Sequence, residues 1–171
     1  MENDQDTTIF DDDSIFDFFP QLPEILVVGG KTAGEIVLQG AFVVNENVTL
    51  VKQNFPSAIF GATGTLTSQN VPTVCGGKNG LGQITNLCYQ LINETWFQST
   101  VMVKKRFQSQ SAQFQGQTWV LGGDVEKSTE FWENDQWKLG PNMPLTLSKH
   151  CAVPLEDDKG SILVIGGIYI K

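Results

Sequence analysis

Four apolar runs that end in a pair of glycines recur along the chain at a nearly constant spacing. The runs with their glycines span residues 25–30, 72–77, 119–123 and 162–167. Their second glycines stand 47, 46 and 44 residues apart. Self-similarity at a period of this size is the signature of a repeat architecture, in which each unit is one supersecondary structure. We number the units one to four in chain order.

The remainder of each unit predicts short strands joined by tight turns. In unit two an aromatic residue, Tyr89, is followed by the polar turn Asn93-Glu94 and by Trp96, which opens another strand. Before the third and fourth diglycines, residues 115–117 and 157–160 separate two strand-like runs, which is typical of a hairpin. Four strands per unit at a period in the forties predict the blades of an all-β propeller.

The first run continues into Gly-Lys-Thr, the ending of a phosphate-binding loop, but the rest of that motif is missing. The motif needs its first glycine five residues before Gly30, where the chain has Ile25. A helix should then follow, whereas residues 35–38 are rich in β-branched and apolar residues. The glycine-rich residues 77–82 also lead into a strand-like run where a dinucleotide site needs a helix. Nucleotide binding is therefore not predicted.

The repeat resembles the kelch repeat of β-propellers. The second strand of each unit ends in diglycine, Tyr89 and Trp96 stand seven residues apart, and residues 140–144 (Gly-Pro-Asn-Met-Pro) precede unit four. The likeness covers residues 24–171, although unit one has Leu50 where the family usually has tryptophan and unit three has a shortened loop. The resemblance implies blades of four antiparallel strands.

The glycine pairs and the large aromatic residues are expected to serve packing. A strand that ends in glycine lets another backbone or a large ring approach closely. Trp96 and Trp137 are the candidates to fill that space, as part of the blade core. The predicted structural residues are Gly29, Gly30, Gly76, Gly77, Gly122, Gly123, Gly166, Gly167, Tyr89, Trp96 and Trp137.

The chain supplies three units and the first half of a fourth, about 3.5 blades, whereas propellers close with about four to eight. The predicted ring is therefore incomplete, with a bare blade face at each end. Either the chain is part of a longer protein, or self-association completes the propeller. Residues 1–14 are predicted to be a flexible acidic tail and residues 15–171 the propeller segment. Residues 15–19 fit either the first strand of unit one or a disordered partner-binding segment.

The charge and hydropathy of the chain exclude two classes of partner. With 19 acidic and 11 basic residues the net charge is −8, whereas nucleic-acid binding requires clustered lysine and arginine. No apolar stretch approaches the ~18 residues that a membrane-spanning helix needs. The expected partner is therefore a protein or peptide, without nucleic-acid binding or membrane insertion.

Two features bear on the cellular compartment. Cys75 ends one strand and Cys88 begins the next, so a hairpin between them would bring the thiols within disulfide reach; two free thiols in a cytoplasmic protein are the alternative. Asn47 and Asn93 begin Asn-x-Thr sequences that fit glycosylation, although turn chemistry alone also favours these residues. No secretory signal is visible. A secreted protein is favoured over a cytoplasmic one, and the compartment stays open.

Catalytic chemistry finds little support in the sequence. The single histidine, His150, has no second histidine or Cys-x-x-Cys motif at metal-ligand spacing, so neither a metal nor a cofactor is predicted. Some kelch-like propellers are oxidases or lyases, and the copper oxidases need more Tyr and His ligands than the two tyrosines and one histidine present. We expect a module without catalytic residues. The alternative is a fragment of a propeller enzyme whose active residues lie outside this chain.

The kelch resemblance implies that loops at one end of the blades bind a protein ligand. The loops after the diglycines and between the units contain the candidates Lys31, Thr32, Lys78, Asn79, Lys104, Lys105, Arg106, Gln108 and Asp124. The basic residues near Gln108 suit an acidic peptide, which they would bind by charge-assisted hydrogen bonds. The alternative is that these charges are solvated and keep strand edges soluble.

Overall fold

A computed structural model describes residues 25–44, 48–50, 54–123, 127–155 and 160–169 of the chain. Within these residues every regular element is a β-strand, and the paired strands are antiparallel. None of the described segments forms a helix that is long and apolar enough to cross a membrane. The predicted acidic tail and the strand predicted at residues 15–19 lie outside the described residues.

Unit one forms a three-stranded sheet in the order β1-β2-β3. Its strands are β1 (Ile25–Val28), β2 (Ala41–Val44) and β3 (Val48–Leu50). Leu26 and Val28 pack against the core that unit one shares with unit two, whereas Ile25 and Val27 are exposed. This alternation follows from the two-residue period of a strand, which sends successive side chains to opposite faces.

Units two and three each contain a complete four-stranded antiparallel sheet, in the orders β5-β6-β8-β9 and β10-β11-β12-β13. Two short strands of unit two, β4 and β7, pair with each other beside the first of these sheets. The bounds are β4 (Ile59–Phe60), β5 (Thr63–Leu66), β6 (Pro72–Cys75), β7 (Lys78–Asn79), β8 (Cys88–Ile92), β9 (Thr95–Gln98), β10 (Gln110–Phe114), β11 (Gln117–Leu121), β12 (Thr129–Glu133) and β13 (Gln136–Leu139). The prediction of four-stranded antiparallel blades is confirmed in these two units.

Unit four is a two-stranded hairpin of β14 (Leu147–Leu155) and β15 (Ser161–Tyr169). Its register pairs Cys151 with Ile165 and Val153 with Leu163. The described residues therefore form an open series of sheets with no closed barrel among them. This arrangement is compatible with the predicted incomplete ring.

Three two-residue turns connect hairpins in units two and three. They are Asn93-Glu94, Gln115-Gly116 and Asn134-Asp135, and all six residues have φ between 49° and 72°. Positive φ at both central positions is the signature of a type I′ turn, whose twist matches that of the flanking strands. The hairpin predicted at residues 115–117 is confirmed.

The hydrophobic core lies between consecutive units. Trp96 of unit two is buried in a cluster with Ala41 of unit one and Phe55, whose ring lies edge-on at 4.9 Å. Trp137 of unit three is buried in a cluster with Cys75 and other residues of unit two. The prediction that both tryptophans belong to the core is confirmed, and each packs against the unit before its own. Tyr89 is half-buried beside the first cluster, as a structural residue should be.

Cys75 and Cys88 lie directly opposite each other on β6 and β8 and form a disulfide. Their sulfur atoms are 2.01 Å apart, their Cα atoms are 4.1 Å apart, and both residues are completely buried. The predicted bridge is confirmed. Cys151 is a free, exposed cysteine on β14.

Candidate functional site

The diglycines join each unit to the next through a repeated backbone contact. All eight glycines have φ between 60° and 120°, a region in which glycine pays no steric penalty for a side chain. The N–H of the second glycine donates to a carbonyl of the following unit, at 2.8 Å from Gly30 to Ile59, 2.7 Å from Gly77 to Arg106 and 2.8 Å from Gly123 to Leu147. The expectation that another backbone approaches the glycines closely is confirmed.

The tryptophans predicted to fill the space beside the glycines lie elsewhere in the junctions. A Cβ added at Gly76 would lie 2.8 Å from the carbonyl oxygen of Arg106 and 3.1 Å from the Cε of Met102. The atoms nearest to the first glycines of units one to three belong to the following unit or to the segment that leads into it, and none belongs to Trp96 or Trp137. The expectation for the two rings is therefore corrected: backbone takes that space, and the rings pack between the sheets.

Chain direction alternates along each sheet, so the loops fall into two sets at opposite ends of the blades. The loops that follow the diglycines share one end with the connections between units. We call this the diglycine end, and in the described residues it comprises residues 31–40, 76–87, 99–109, 122–123, 127–128 and 140–147. The hairpin turns at residues 67–71, 93–94, 115–116 and 134–135 form the opposite, turn end.

Two lysines and two phenylalanines form a continuous cluster at the diglycine end. The Nζ of Lys31 lies 5.1 Å from the ring centroid of Phe60, and the Nζ of Lys78 lies 4.8 Å from that of Phe107. The two rings meet edge to face with their centroids 5.1 Å apart. Each lysine follows a diglycine and lies over an aromatic ring of the next unit, a contact that orients the ammonium group. We call these four residues the Lys–Phe cluster.

A row of backbone hydrogen bonds runs beside the cluster from unit two to unit four. The N–H of Gln108 donates to the carbonyl of Gly61 at 2.7 Å, and the N–H of Lys149 donates to the carbonyl of Gln108 at 3.0 Å. The three residues occupy equivalent places at the entrance to their units and have φ of 62°, 60° and 55°. The candidate Gln108 therefore lies next to Phe107, at the point where three units meet.

Thr32 and Asn79 shape the loops that carry the two lysines. The Thr32 hydroxyl accepts a hydrogen bond from the N–H of Ile36 at 3.2 Å. The Asn79 side-chain oxygen accepts bonds from the N–H groups of Leu81 at 3.0 Å and Gln83 at 2.9 Å. These contacts use the polar side chains to close their own loops, as expected of short polar residues in turns.

Arg106 does not present its charge at the surface, because its side chain is completely buried. Its Nη2 lies 2.9 Å from Oε1 of Glu130 and donates to the Ser128 hydroxyl at 2.8 Å. Its Nη1 donates to the carbonyls of Gly122 at 2.6 Å and Ser128 at 3.0 Å. Arg106 therefore fastens unit three to the connection that precedes it and lies out of reach of a ligand at the surface.

Glu130 also positions the neighbouring lysines. Its carboxylate accepts hydrogen bonds from the N–H groups of Val103 at 2.6 Å and Lys104 at 2.9 Å. The side chain of Lys105 is exposed, and that of Lys104 is half-buried. The segment from Val103 to Arg106 is thus held at the diglycine end by one buried carboxylate. Asp124, the remaining candidate, lies outside the described residues.

The described charges are divided between the two ends of the blades. The described lysines of the diglycine end are Lys31, Lys78, Lys104, Lys105 and Lys127, and Lys149 lies two residues beyond it on β14. The exposed acid described at that end, Glu35, pairs with Lys31, whereas Glu94, Glu133 and Asp135 lie at or beside the turn end. There the Lys138 ammonium, which hydrogen-bonds to Glu133, lowers the pKa of that carboxyl. The chain is acidic in total, yet its diglycine end is basic in the described residues.

The remaining predicted positions are distributed over the molecule. Asn93 lies in an exposed turn, and Asn47 lies outside the described residues. His150 is buried beside Gly167, and burial lowers its pKa. In the part of the chain that the structure describes, no three His, Cys, Asp or Glu residues converge as metal ligands.

Sequence reasoning did not identify the two phenylalanines of the cluster, although a signal for them exists. Phe60 and Phe107 are 47 residues apart, as are Lys31 and Lys78. That interval equals the spacing of Gly30 and Gly77. Aligning the residues on either side of the diglycine would have placed both Lys–Phe pairs within the repeat.

No protein-family model matches the sequence, and a search of curated proteins finds no similar one.

Proposed function

We propose that this chain is a kelch-type propeller segment that binds an acidic segment of a protein through the diglycine end of its blades and has no catalytic activity of its own. The observation that carries the proposal is the Lys–Phe cluster. It places two ammonium groups over adjoining rings on the surface where the other described lysines of this end also lie.

The chemistry of the cluster favours a carboxylate ligand with an apolar neighbour. A lysine ammonium over an aromatic face keeps N–H groups available for hydrogen bonds, and bonds to a carboxylate are stronger than neutral ones. One such pair of a carboxylate with a lysine of the cluster exists within the molecule, because the exposed Glu35 carboxylate pairs with Lys31. A ligand carboxylate would replace Glu35 or add to Lys78, while its apolar neighbours would contact the edges of Phe60 and Phe107.

The kelch assignment rests on the repeated junction. Both glycines of all four diglycines have positive φ, and three of the pairs donate the same hydrogen bond to the following unit. Two units contain four strands paired in chain order. These features support a series of radially repeated blades, an architecture that places one set of loops together at each end.

Peptide binding tests the proposed function directly. A fluorescently labelled peptide of alternating glutamate and leucine, and a second peptide with glutamine replacing glutamate, are titrated with the full chain while anisotropy is measured. We expect only the acidic peptide to bind. The double variant Lys31→Gln and Lys78→Gln is expected to bind it at least about tenfold more weakly, a change of about 1.4 kcal/mol in binding free energy.

The control variant Lys138→Gln removes the same kind of charge from β13 and should change the affinity less than about twofold. An equal loss in the control would show that net charge alone drives binding and would contradict the proposed site. The proposal would also be wrong if the acidic peptide did not bind at about 1 mM protein at low salt.

A further inference from the structure

The C-terminal hairpin exposes an apolar face whose equivalents in units two and three are buried. On β14 and β15 the alternating residues Cys151, Val153, Leu155, Leu163 and Ile165 lie on one face, as their cross-strand register requires. Val153, Leu163 and Ile165 are 44%, 42% and 52% exposed. We call these five residues the C-face.

The equivalents of the C-face in other units lie inside junctions. Ile165 immediately precedes its diglycine, as Cys75 and Leu121 do in units two and three. Both of those residues are buried, and Leu121 belongs to the core cluster against which Ile162 and Val164 of unit four pack. Each junction therefore covers this face with the unit that follows.

Unit one exposes the opposite face of the same junction. Ile25 and Val27 on β1 are 58% and 45% exposed. The equivalents of Val27, two residues before the first glycine, are Val74 and Val120, which are buried in clusters that include residues of the preceding unit. We call Ile25 and Val27 the N-face. Neither this face nor the C-face contains a charged residue.

We propose that two copies of this chain associate head to tail, with the N-face of one copy packed against the C-face of the other. This contact would reproduce the junction that already joins units two, three and four. Two such contacts, one at each end of each chain, close a ring of eight units, four from each chain, within the about four to eight blades that propellers contain.

A second copy is the occupant we infer, because the two exposed faces are both apolar and occupy the positions that form the two sides of the junctions between units two, three and four. A head-to-tail contact that closes a ring leaves no further face free, whereas one that does not close produces filaments. Closure also covers apolar side chains that would otherwise form a contiguous exposed patch. The inference does not depend on the proposed ligand, whose site lies at the diglycine end.

Light scattering after size-exclusion chromatography measures the association. We expect the full chain to elute as a dimer at micromolar concentration, and Ile165→Glu or Val27→Glu to elute as a monomer. Leu139→Glu places the same charge at an exposed leucine of β13, outside both faces, and should leave the dimer intact. Mixing the Ile165→Glu and Val27→Glu variants should restore a dimer through the one undamaged contact, which unfolded variants would not do.

A disulfide cross-link tests the geometry of the contact. Between units two and three, Gln113 Nε2 donates to the hydroxyls of Thr65 at 3.1 Å and Thr118 at 2.8 Å, so these side chains converge across the junction. Val153 of unit four is the equivalent of Thr65, because each pairs with the residue three positions before the first glycine of its unit. Ile25 of unit one is the equivalent of Thr118, because each stands four residues before that glycine. In a Cys151→Ser background, Ile25→Cys with Val153→Cys should yield a covalent dimer on mild oxidation.

A matched control places the first cysteine at Ile36 instead of Ile25, because Ile36 is an exposed residue of the diglycine end. This variant should not cross-link. A monomeric wild-type chain would overturn the inference, as would a dimer that Ile165→Glu does not dissociate. Equal cross-linking in the Ile36 control would show a contact of another geometry and would overturn it as well.

Discussion

The junction between units two and three and the junction between units three and four share one backbone pattern and differ in the side chains that fill it. In both, the N–H of a second glycine donates to the following unit, at Arg106 in the first and at Leu147 in the second. In both, a methionine lies beside the first glycine, Met102 or Met143. Arg106 then enters an ion pair with Glu130, whereas Leu147 packs in an apolar cluster.

The difference shows which part of the repeat is constrained. The glycine N–H needs a carbonyl, which any residue supplies, so the side chain at that position varies from Ile59 to Arg106 to Leu147. The glycine pair has no such freedom, because both glycines have positive φ and a Cβ on the first would meet the backbone of the following unit. A charged side chain is accepted there only with a buried partner.

The largest expected effect on the free energy of unfolding comes from removing Glu130, the buried partner of Arg106. Glu130→Ala would leave the Arg106 guanidinium buried without its carboxylate, and we expect a cost of about 3–5 kcal/mol in the free energy of unfolding, measured in urea. The double variant Arg106→Leu with Glu130→Gln keeps an acceptor for the backbone and removes both charges. It should be at least about 1 kcal/mol more stable than Glu130→Ala. A cost below about 1 kcal/mol for Glu130→Ala would contradict the role of the pair.

Truncation of Trp137 tests the apolar part of the same junction. Trp137→Ala would remove a buried ring from the cluster with Cys75, Cys88 and Met102, at an expected cost of about 3–5 kcal/mol. Phe97→Ala on β9 is the control, because Phe97 is exposed and its loss should cost less than about 0.5 kcal/mol. Similar denaturant midpoints for the two variants would show that Trp137 is not a core residue.

The disulfide distinguishes unit two from unit three, which has Leu121 opposite Thr129 at the equivalent position. Reduction of the Cys75–Cys88 bridge should lower the free energy of unfolding by about 3 kcal/mol, since the loop closed spans 13 residues. Urea unfolding with and without reductant measures this. The variant Cys75→Leu with Cys88→Thr copies unit three, and reductant should leave its midpoint unchanged.

Alanine in place of glycine tests whether the shared backbone pattern depends on close approach or on φ alone. Gly76 and Gly116 have φ of 69° and 72°, but only Gly76 has backbone within 3.0 Å of an added Cβ, whereas Gly116 has open space. Gly116→Ala should cost about 1–2 kcal/mol for the left-handed conformation. Gly76→Ala should cost more, and equal losses in thermal stability would remove the close-contact explanation.

The smallest expected effect is a pH dependence specific to unit four, where His150 stands in the place of Ser109 in unit three. Burial lowers the pKa of His150, so the unfolded chain binds its proton more readily than the folded chain. The stability that the chain gains by keeping His150 neutral is fully present above the ordinary histidine pKa of about 6.5. It decreases as the pH falls below that value.

The His150→Gln variant isolates this titration from that of the carboxylates. Between about pH 8 and about pH 5.5 its melting temperature should fall less than that of the wild type. Parallel melting curves for the two proteins over this range would show that His150 has the same proton affinity in the folded and unfolded chains.

Much of the fold could be predicted because its signals are local. The two-residue turn Gln115-Gly116 sits between strand-like runs. The strand-like runs on either side of residues 76–87 pair antiparallel, which brings Cys75 opposite Cys88. Arg106 illustrates what could not be predicted. An arginine beside two lysines is typical of a solvated loop, and the carboxylate that buries it lies 24 residues away on β12.

The candidate site shows the same limit. Lys31 and Lys78 were predicted from their place after the diglycines, but the rings beneath them belong to the following unit and stand 29 residues further along the chain in both cases. Contacts between units depend on how two sheets pack, which a pattern within one unit does not specify.

The sequence by itself determined the period of the repeat and the four strands of each complete unit, and it placed Cys75 and Cys88 within disulfide reach, because strand alternation and turn conformation depend on neighbouring residues. Only the tertiary structure decided that backbone rather than tryptophan approaches the glycines, that Arg106 is buried, and that the lysines of one end lie over aromatic rings. These are properties of the junctions, where side chains from distant parts of the chain compete for the same space.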